Sequence, residues 1–274
     1  MSRTWEYEGV ERANSIQVLS KVALLLDRLA EEPEVRAGRL ADMIGEPRST
    51  VYRLLASLQQ LDLVEPGARR GTYRLGLKLF RLGSSVLARF DERQAAFPIM
   101  ERIHEATEET VFLCIRRGYE AVCIERIDGR WVQSMALRLG GSLPLHVGAA
   151  PRALLAFEPR DFWAEYAARG ALEAFTHNTP TSRNDLFRVL EEVRTTGCSV
   201  SDEDVAVGIA AVGAPVFDYR GEVRAALSMS GPRSTILGES LEASRELITS
   251  GALEISRALG FAEDAALVGE RERA

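Results

Sequence analysis

Cysteine and histidine are scarce in this chain, with three of each in 274 residues. Cys114, Cys123 and Cys198 are odd in number and widely spaced, so they make no disulfide framework. A reducing cytoplasm is the simplest setting for them. No two cysteines lie closer than nine residues, and His104, His146 and His177 are far apart. Zinc sites need tight clusters of such residues. Neither a metal nor a cofactor is expected. Cys114 and Cys123 sit in apolar, strand-like segments and are expected in the core. His146, between Leu145 and Val147, reads as structural.

Long apolar runs are missing too. Residues 22–30, VALLLDRLA, are broken by Asp27 and Arg28, far short of the ~18 apolar residues of a membrane span. The opening MSRTWEYEGVERANS is charged and has no apolar stretch of a secretory signal. Also absent are G-x-S-x-G, H-E-x-x-H and the phosphate loop G-x4-G-K-[ST]. An enzyme would have to rest on Cys198 or His177 alone, and none is expected. There is no internal repeat and no low-complexity tract.

What is present is most informative at 40–55, LADMIGEPRSTVYRLL. The pattern reads as a helix-turn-helix. Ala41 is small where two helices must touch. Gly45 suits a turn that needs positive φ. Pro47 opens the next helix, where a missing N–H costs nothing. Val51, Leu54, Leu55, Leu58 and Leu61 form an apolar stripe at helical spacing. The opposite face carries Arg48, Ser49, Tyr52 and Arg53, with Thr50 in the same first turns. These side chains suit phosphates and base edges. Ser49 or Thr50 can equally serve as a helix cap.

Next comes a hairpin signal. Leu63 and Val64 pair with 72–75 across a turn at 66–71, with Arg69 and Arg70 at its tip. A basic hairpin after such a helix makes a winged helix-turn-helix. Charge agrees: residues 36–90 hold ten Arg or Lys against four acids, net +6, on a chain of net −6. A nucleic-acid-facing segment on an acidic body is implied.

The expected organisation is a flexible tail at 1–12, the winged domain at 13–76, a linker helix at 77–90, a second domain at 91–261 and a polar tail at 262–274. Helices are expected at 15–30, 39–44, 47–61 and 75–90. In the second domain they are expected at 95–109, 151–158, 159–169, 184–196 and 239–259. Strands are expected at 111–117, 121–127, 132–139, 209–217 and 223–230. Paired strands followed by runs of helix suggest α+β with an antiparallel sheet.

The chain resembles the IclR-type bacterial transcriptional regulators. The likeness lies in STVYRLLASL (49–58), YRLGLKLFRLG (73–83), PLHVGAAPRALLA (144–156), Thr176 and Thr179. It is most specific in RTTGCSVSDEDVAVGIAAVGAPVFDYRGEVRAALSMSGP (194–232). It covers roughly residues 13–261. The resemblance implies an N-terminal winged helix-turn-helix and a C-terminal effector-sensing domain. It implies that Gly148, Ala149 and Ala150, the 201–204 segment with Ser201 and Asp204, and Ala211, Ser228 and Ser230 line the effector pocket. The family usually has Glu where Asp204 stands, often Gly-Lys at Pro151-Arg152, commonly an acid at Ser201, and in some members cysteine at Ala211.

The expected function is a ligand-responsive regulator, a repressor of neighbouring catabolic genes. Its partners are a palindromic DNA duplex, a second or further copies as homodimer or tetramer, and a small carboxylate effector, with no membrane. Ser201 and Ala211 in place of larger or charged residues favour an aromatic or branched acid over a two- or three-carbon one. The competing class is a DNA-binding architectural protein with no ligand.

Overall fold

The computed structural model describes residues 17–87, 91–130 and 137–262. The chain divides into two compact units, Met1–Arg89 and Phe90–Ala274. The expected tails and most of the strand at 132–139 lie outside the described residues.

In the first unit α1 (Gln17–Glu31), β1 (Val35–Arg36), α2 (Ala37–Ile44) and α3 (Arg48–Gln60) come first. Then come β2 (Val64–Pro66), β3 (Thr72–Leu75) and α4 (Leu77–Leu87). Leu25, Leu29, Leu40, Val51, Leu55 and Leu58 interlock in one core. Their helical spacing on three amphipathic helices brings them there. Gly45 ends α2 at φ 67, and no atom lies within 4 Å of the place a Cβ would take. The backbone conformation, not crowding, is what demands glycine there. The apolar stripe of α3 stops one turn early: Leu61 caps the helix and is exposed. The short β1, unrecognised in the sequence, pairs with β3 and makes the hairpin a three-stranded sheet in the order β1-β3-β2. The helix α4 buries none of its described residues, and Leu77 and Phe80 are 69% and 71% exposed.

The second unit is α+β around a six-stranded antiparallel sheet. The helix α5 (Asp91–Thr107) leads into β4 (Thr110–Arg117), β5 (Glu120–Ile127) and β6 (Ser142–Pro144). After them come α6 (Ala149–Ala156), α7 (Arg160–Ala168) and α8 (Arg183–Thr196). The chain returns as β7 (Ser199–Asp202), β8 (Ile209–Phe217) and β9 (Val223–Pro232). It closes with the short α9 (Arg233–Ile236) and α10 (Leu241–Ala258). The strand order is β6-β5-β4-β9-β8-β7. Three strands each side thus meet at the β4–β9 seam, with Thr110 opposite Ser230 and Phe112 opposite Ser228.

Alternation along each strand splits the core in two. Val111, Leu113, Val212, Leu227 and Met229 face α5 and α10. Phe112, Cys114 and Cys123 face α6, α7 and α8. All three cysteines are buried and free. The sheet is covered on both faces, so its middle strands are apolar on both. That makes the polar residues on its α6 side conspicuous.

Candidate functional site

The recognition face of the first unit is built by α3. With Val51, Leu55 and Leu58 turned inward, Arg48, Ser49, Tyr52 and Arg53 are left exposed, and Thr50 is half-buried. Pro47 supplies no side-chain cap, and neither Ser49 nor Thr50 takes that role. Four cations elsewhere on this unit are paired: Lys21 with Glu46, Arg28 with Glu31, Arg39 with Glu32, Arg74 with Glu65. Arg48, Arg53 and Arg70 have no ion-pair partner among the described residues. An unpaired guanidinium on a protruding face is what a phosphate or a guanine edge recruits.

The wing is anchored by a residue that sequence reading missed. The Glu34 carboxylate accepts from the Ala68 N–H at 2.8 Å and from the Thr72 hydroxyl at 2.9 Å. Those bonds, the backbone one first, hold its carboxyl below the usual glutamate value. Glu34 lies 34 residues from Ala68, and nothing local in the sequence marks it. It fixes the loop that carries Arg69 and Arg70, both exposed.

In the second unit the sheet and α6 make a cavity. Pairing registers place Ser201, Ala211 and Ser230 in one row across β7, β8 and β9. The next row holds Gly213, Ser228 and Phe112. Paired residues point to the same side of a sheet, so these side chains share one floor. Above it the N-terminus of α6 rests on Gly213. A Cβ there would come 3.0 Å from the Ala149 carbonyl carbon and 3.1 Å from the Ala150 nitrogen. Only a bare backbone lets the helix end descend so far.

The result is a cavity of about 50 Å³ lined by Phe112, Leu143, Ala149, Ala211, Ser228 and Ser230 among others, with Gly148, Ala150 and Ser201. The volume holds roughly four water-sized groups. Leu137, Leu143 and Val205 add apolar wall to it. Ala149 and Ala150 belong to the first turn of α6. First-turn N–H groups have no partner inside their helix, and Gly148 at the N-cap has no side chain to satisfy them. Ser228 and Ser230 are only 4% and 8% exposed, and neither hydroxyl has a hydrogen-bond partner among the described residues.

Asp204 stands one layer behind the cavity. It is buried against Arg152, accepts from the Gly148 N–H at 3.1 Å and takes the Ser201 hydroxyl. Arg152 also donates to the Val200 carbonyl at 2.6 Å. Thr179 donates to the Asp204 carbonyl at 2.7 Å, and Thr176 to that of Glu203 at 2.6 Å. The two threonines thus hold the 203–204 backbone. Behind this pair lies a larger hollow of about 480 Å³, between α8 and β7, with Asp185, Arg188 and Glu192 on its wall. It has more room, but the buried hydroxyls and free N–H groups converge on the smaller cavity.

His146 is structural in its contacts. Its Nε2 lies 3.0 Å from the Glu173 carbonyl and its Nδ1 2.7 Å from the Tyr166 hydroxyl. A carbonyl only accepts, so Nε2 carries the proton and Nδ1 accepts from the tyrosine. Burial pushes the imidazole below its ordinary value, outweighing the Glu173 contact. Among the described residues no group of His, Cys, Asp and Glu is arranged to hold a metal, and no helix is long and apolar enough to cross a membrane.

Comparison with known proteins agrees with this geometry. The family described as "Bacterial transcriptional regulator IclR C-terminal" matches residues 84–257, and the "IclR helix-turn-helix domain" matches 18–67. The chain is 29% identical over 248 residues to the HTH-type transcriptional regulator KipR of Bacillus subtilis, covering 90% of this chain and 99% of that one. It is 34% identical over 215 residues to the HTH-type transcriptional repressor AllR of Escherichia coli, covering 78% and 79%. The crystal structure of the Thermotoga maritima IclR superposes with a TM-score of 0.76 at 32% identity, covering 90% of this chain and all of that one. A DNA-reading helix with its wing and a sheet-and-helix sensing domain therefore stand in one polypeptide, and the chain belongs to the IclR family of DNA-binding transcriptional regulators.

Proposed function

We propose that this regulator is a repressor controlled by a small monocarboxylate bound in the cavity between α6 and the sheet. One observation carries the reading: two serines without hydrogen-bond partners among the described residues and two helix N-terminal N–H groups converge on the same cavity. A carboxylate accepts from both kinds of donor, and the helix N-terminus favours negative charge. No fixed cation need be buried to hold it. Arg48, Ser49, Thr50, Tyr52 and Arg53 read the operator, with Arg69 and Arg70 on flanking phosphates.

Exposed apolar residues on α1 (Val18, Leu19) and α4 (Leu77, Phe80, Leu82) support self-association of the regulator. Two winged domains tied together gain effective concentration on a palindrome. Light scattering at micromolar concentration should then give a dimer or tetramer.

Thermal unfolding with a panel of small acids tests the effector. A ligand at about 100 times its Kd stabilises the fold by ~2.7 kcal/mol. Ser228→Ala with Ser230→Ala should abolish that shift and leave operator binding by the free protein in place. A double variant that keeps its shift, or stabilisation by cations alone, refutes the assignment.

A further inference from the structure

Ser201 differs from the two serines across the cavity floor in one respect: its proton is already committed. The Asp204 carboxylate is held at Oδ2 by the Arg152 guanidinium and the Gly148 N–H. Its Oδ1 meets the Ser201 hydroxyl. A carboxylate has no proton to give, so Ser201 is the donor in that bond. What Ser201 turns to the cavity is an oxygen lone pair. Ser228 and Ser230 have no such partner, and their hydroxyls are free to rotate and donate. The Ala149 and Ala150 N–H groups can only donate. The cavity therefore has two ends of opposite polarity. Donors gather at β9 and the start of α6, and an acceptor stands on β7. The methyl of Ala211 lies between Ser201 and Ser230 in the same row.

We infer that the effector is a small hydroxy monocarboxylic acid. Its carboxylate takes the donor end, and its hydroxyl donates to Ser201. The inference rests on the carboxylate reading above and adds the second group. An oxo acid of the same size brings a carbonyl oxygen to Ser201, and two acceptors then face each other with no proton between them. A second carboxylate is worse, because the Asp204 charge lies directly behind the serine. The cavity of about 50 Å³ favours a small acid over a bulky one, since a single water already needs roughly 10–15 Å³ of such space.

Three acids on one carbon skeleton separate the possibilities: lactate (both enantiomers), pyruvate and propionate, titrated calorimetrically into the full-length protein. One enantiomer of lactate should bind at least about tenfold tighter than the other two acids, the scale of one satisfied hydrogen bond. Ser201→Ala should bring lactate to the level of propionate by weakening lactate alone. Asp204→Asn should reverse the preference. Arg152 and the Gly148 N–H will draw the amide oxygen to the Oδ2 place, and the amide nitrogen then donates to Ser201. The serine proton turns into the cavity, where it suits the carbonyl of pyruvate. If Asp204→Asn does not fold, Ser201→Ala decides alone.

Pyruvate or propionate binding as tightly as lactate overturns the inference while the carboxylate reading stands. A lactate preference that survives Ser201→Ala does the same. If none of the three acids binds while another small acid stabilises the fold, this inference falls and the carboxylate reading stands; if no small acid binds, both fall.

Discussion

The recognition face of α3 and the cavity under α6 both keep polar groups without protein partners, but by opposite means. On α3 the groups are charged, long and exposed, and neighbouring acids are drawn off into other pairs. Under α6 they are neutral, short and buried, and the nearby charges neutralise each other one layer back. The first arrangement suits a polyanion approached from a distance, through a field that salt screens. The second suits a single small anion, bound by directional hydrogen bonds from neutral groups. Bare charge inside the cavity would cost more in desolvation than a few-atom ligand returns.

The largest expected effect comes from unbalancing the charges behind the cavity. Arg152→Ala leaves Asp204 buried and unpaired, which should destabilise the second unit by about 3–5 kcal/mol. Urea unfolding would read this as a lower midpoint. A change within ~1 kcal/mol would mean that water reaches Asp204 and that the two regions are less different than they look.

On the other side, Arg53→Ala should weaken operator binding by roughly 1–3 kcal/mol if it reads a base, with relaxed preference at that base. Arg69→Ala with Arg70→Ala should weaken all duplexes alike and flatten the dependence of affinity on salt. A salt slope unchanged in the wing variant would remove the wing from the phosphate contacts. Neither change should alter the unfolding midpoint of the second unit.

The smallest effect is on pH. His146 titrates below its ordinary 6.5 in the folded chain. Its stabilising contribution is therefore complete above 6.5 and is lost as pH falls through that value, where the unfolded chain binds the proton first. His146→Gln should lessen the fall in stability of the second unit between about pH 7 and pH 5. The arginines proposed to read the operator from α3 do not titrate in that range. A slope identical in the variant would show that other groups carry the pH dependence.

Legibility in the sequence followed distance along the chain. The helix-turn-helix was readable because Gly45, Pro47 and the Val51–Leu58 stripe act within a few residues of one another. The strands at 111–117 and 121–127 were readable for the same reason. Edge strands β1, β6 and β7 are two to four residues long, too short for alternation to show. The β4–β9 seam joins residues more than a hundred positions apart, and no local pattern announces it. Of the cavity, the alternation of Ser228 and Ser230 was visible, but not which way it faced. Without the family resemblance a solvent-facing strand was the simpler reading. The Arg152–Asp204 pair spans 52 residues, and Glu34 reaches a loop 34 residues away. Both are products of the fold.

The seating of α6 on Gly213 has a consequence for how this sensor can change over generations. Position 213 admits no side chain without lifting the helix, and Arg152 and Asp204 answer to each other, so these three form a fixed chassis. Positions 201, 211, 228 and 230 are different. Each projects from a strand whose backbone is paired regardless of what it carries, and each meets the proposed ligand separately. Single substitutions at these four places can exchange a donor for an acceptor, or a methyl for a larger group, while the sheet stays as it is. New effector preferences are thus one mutational step apart on a frame that need not be rebuilt.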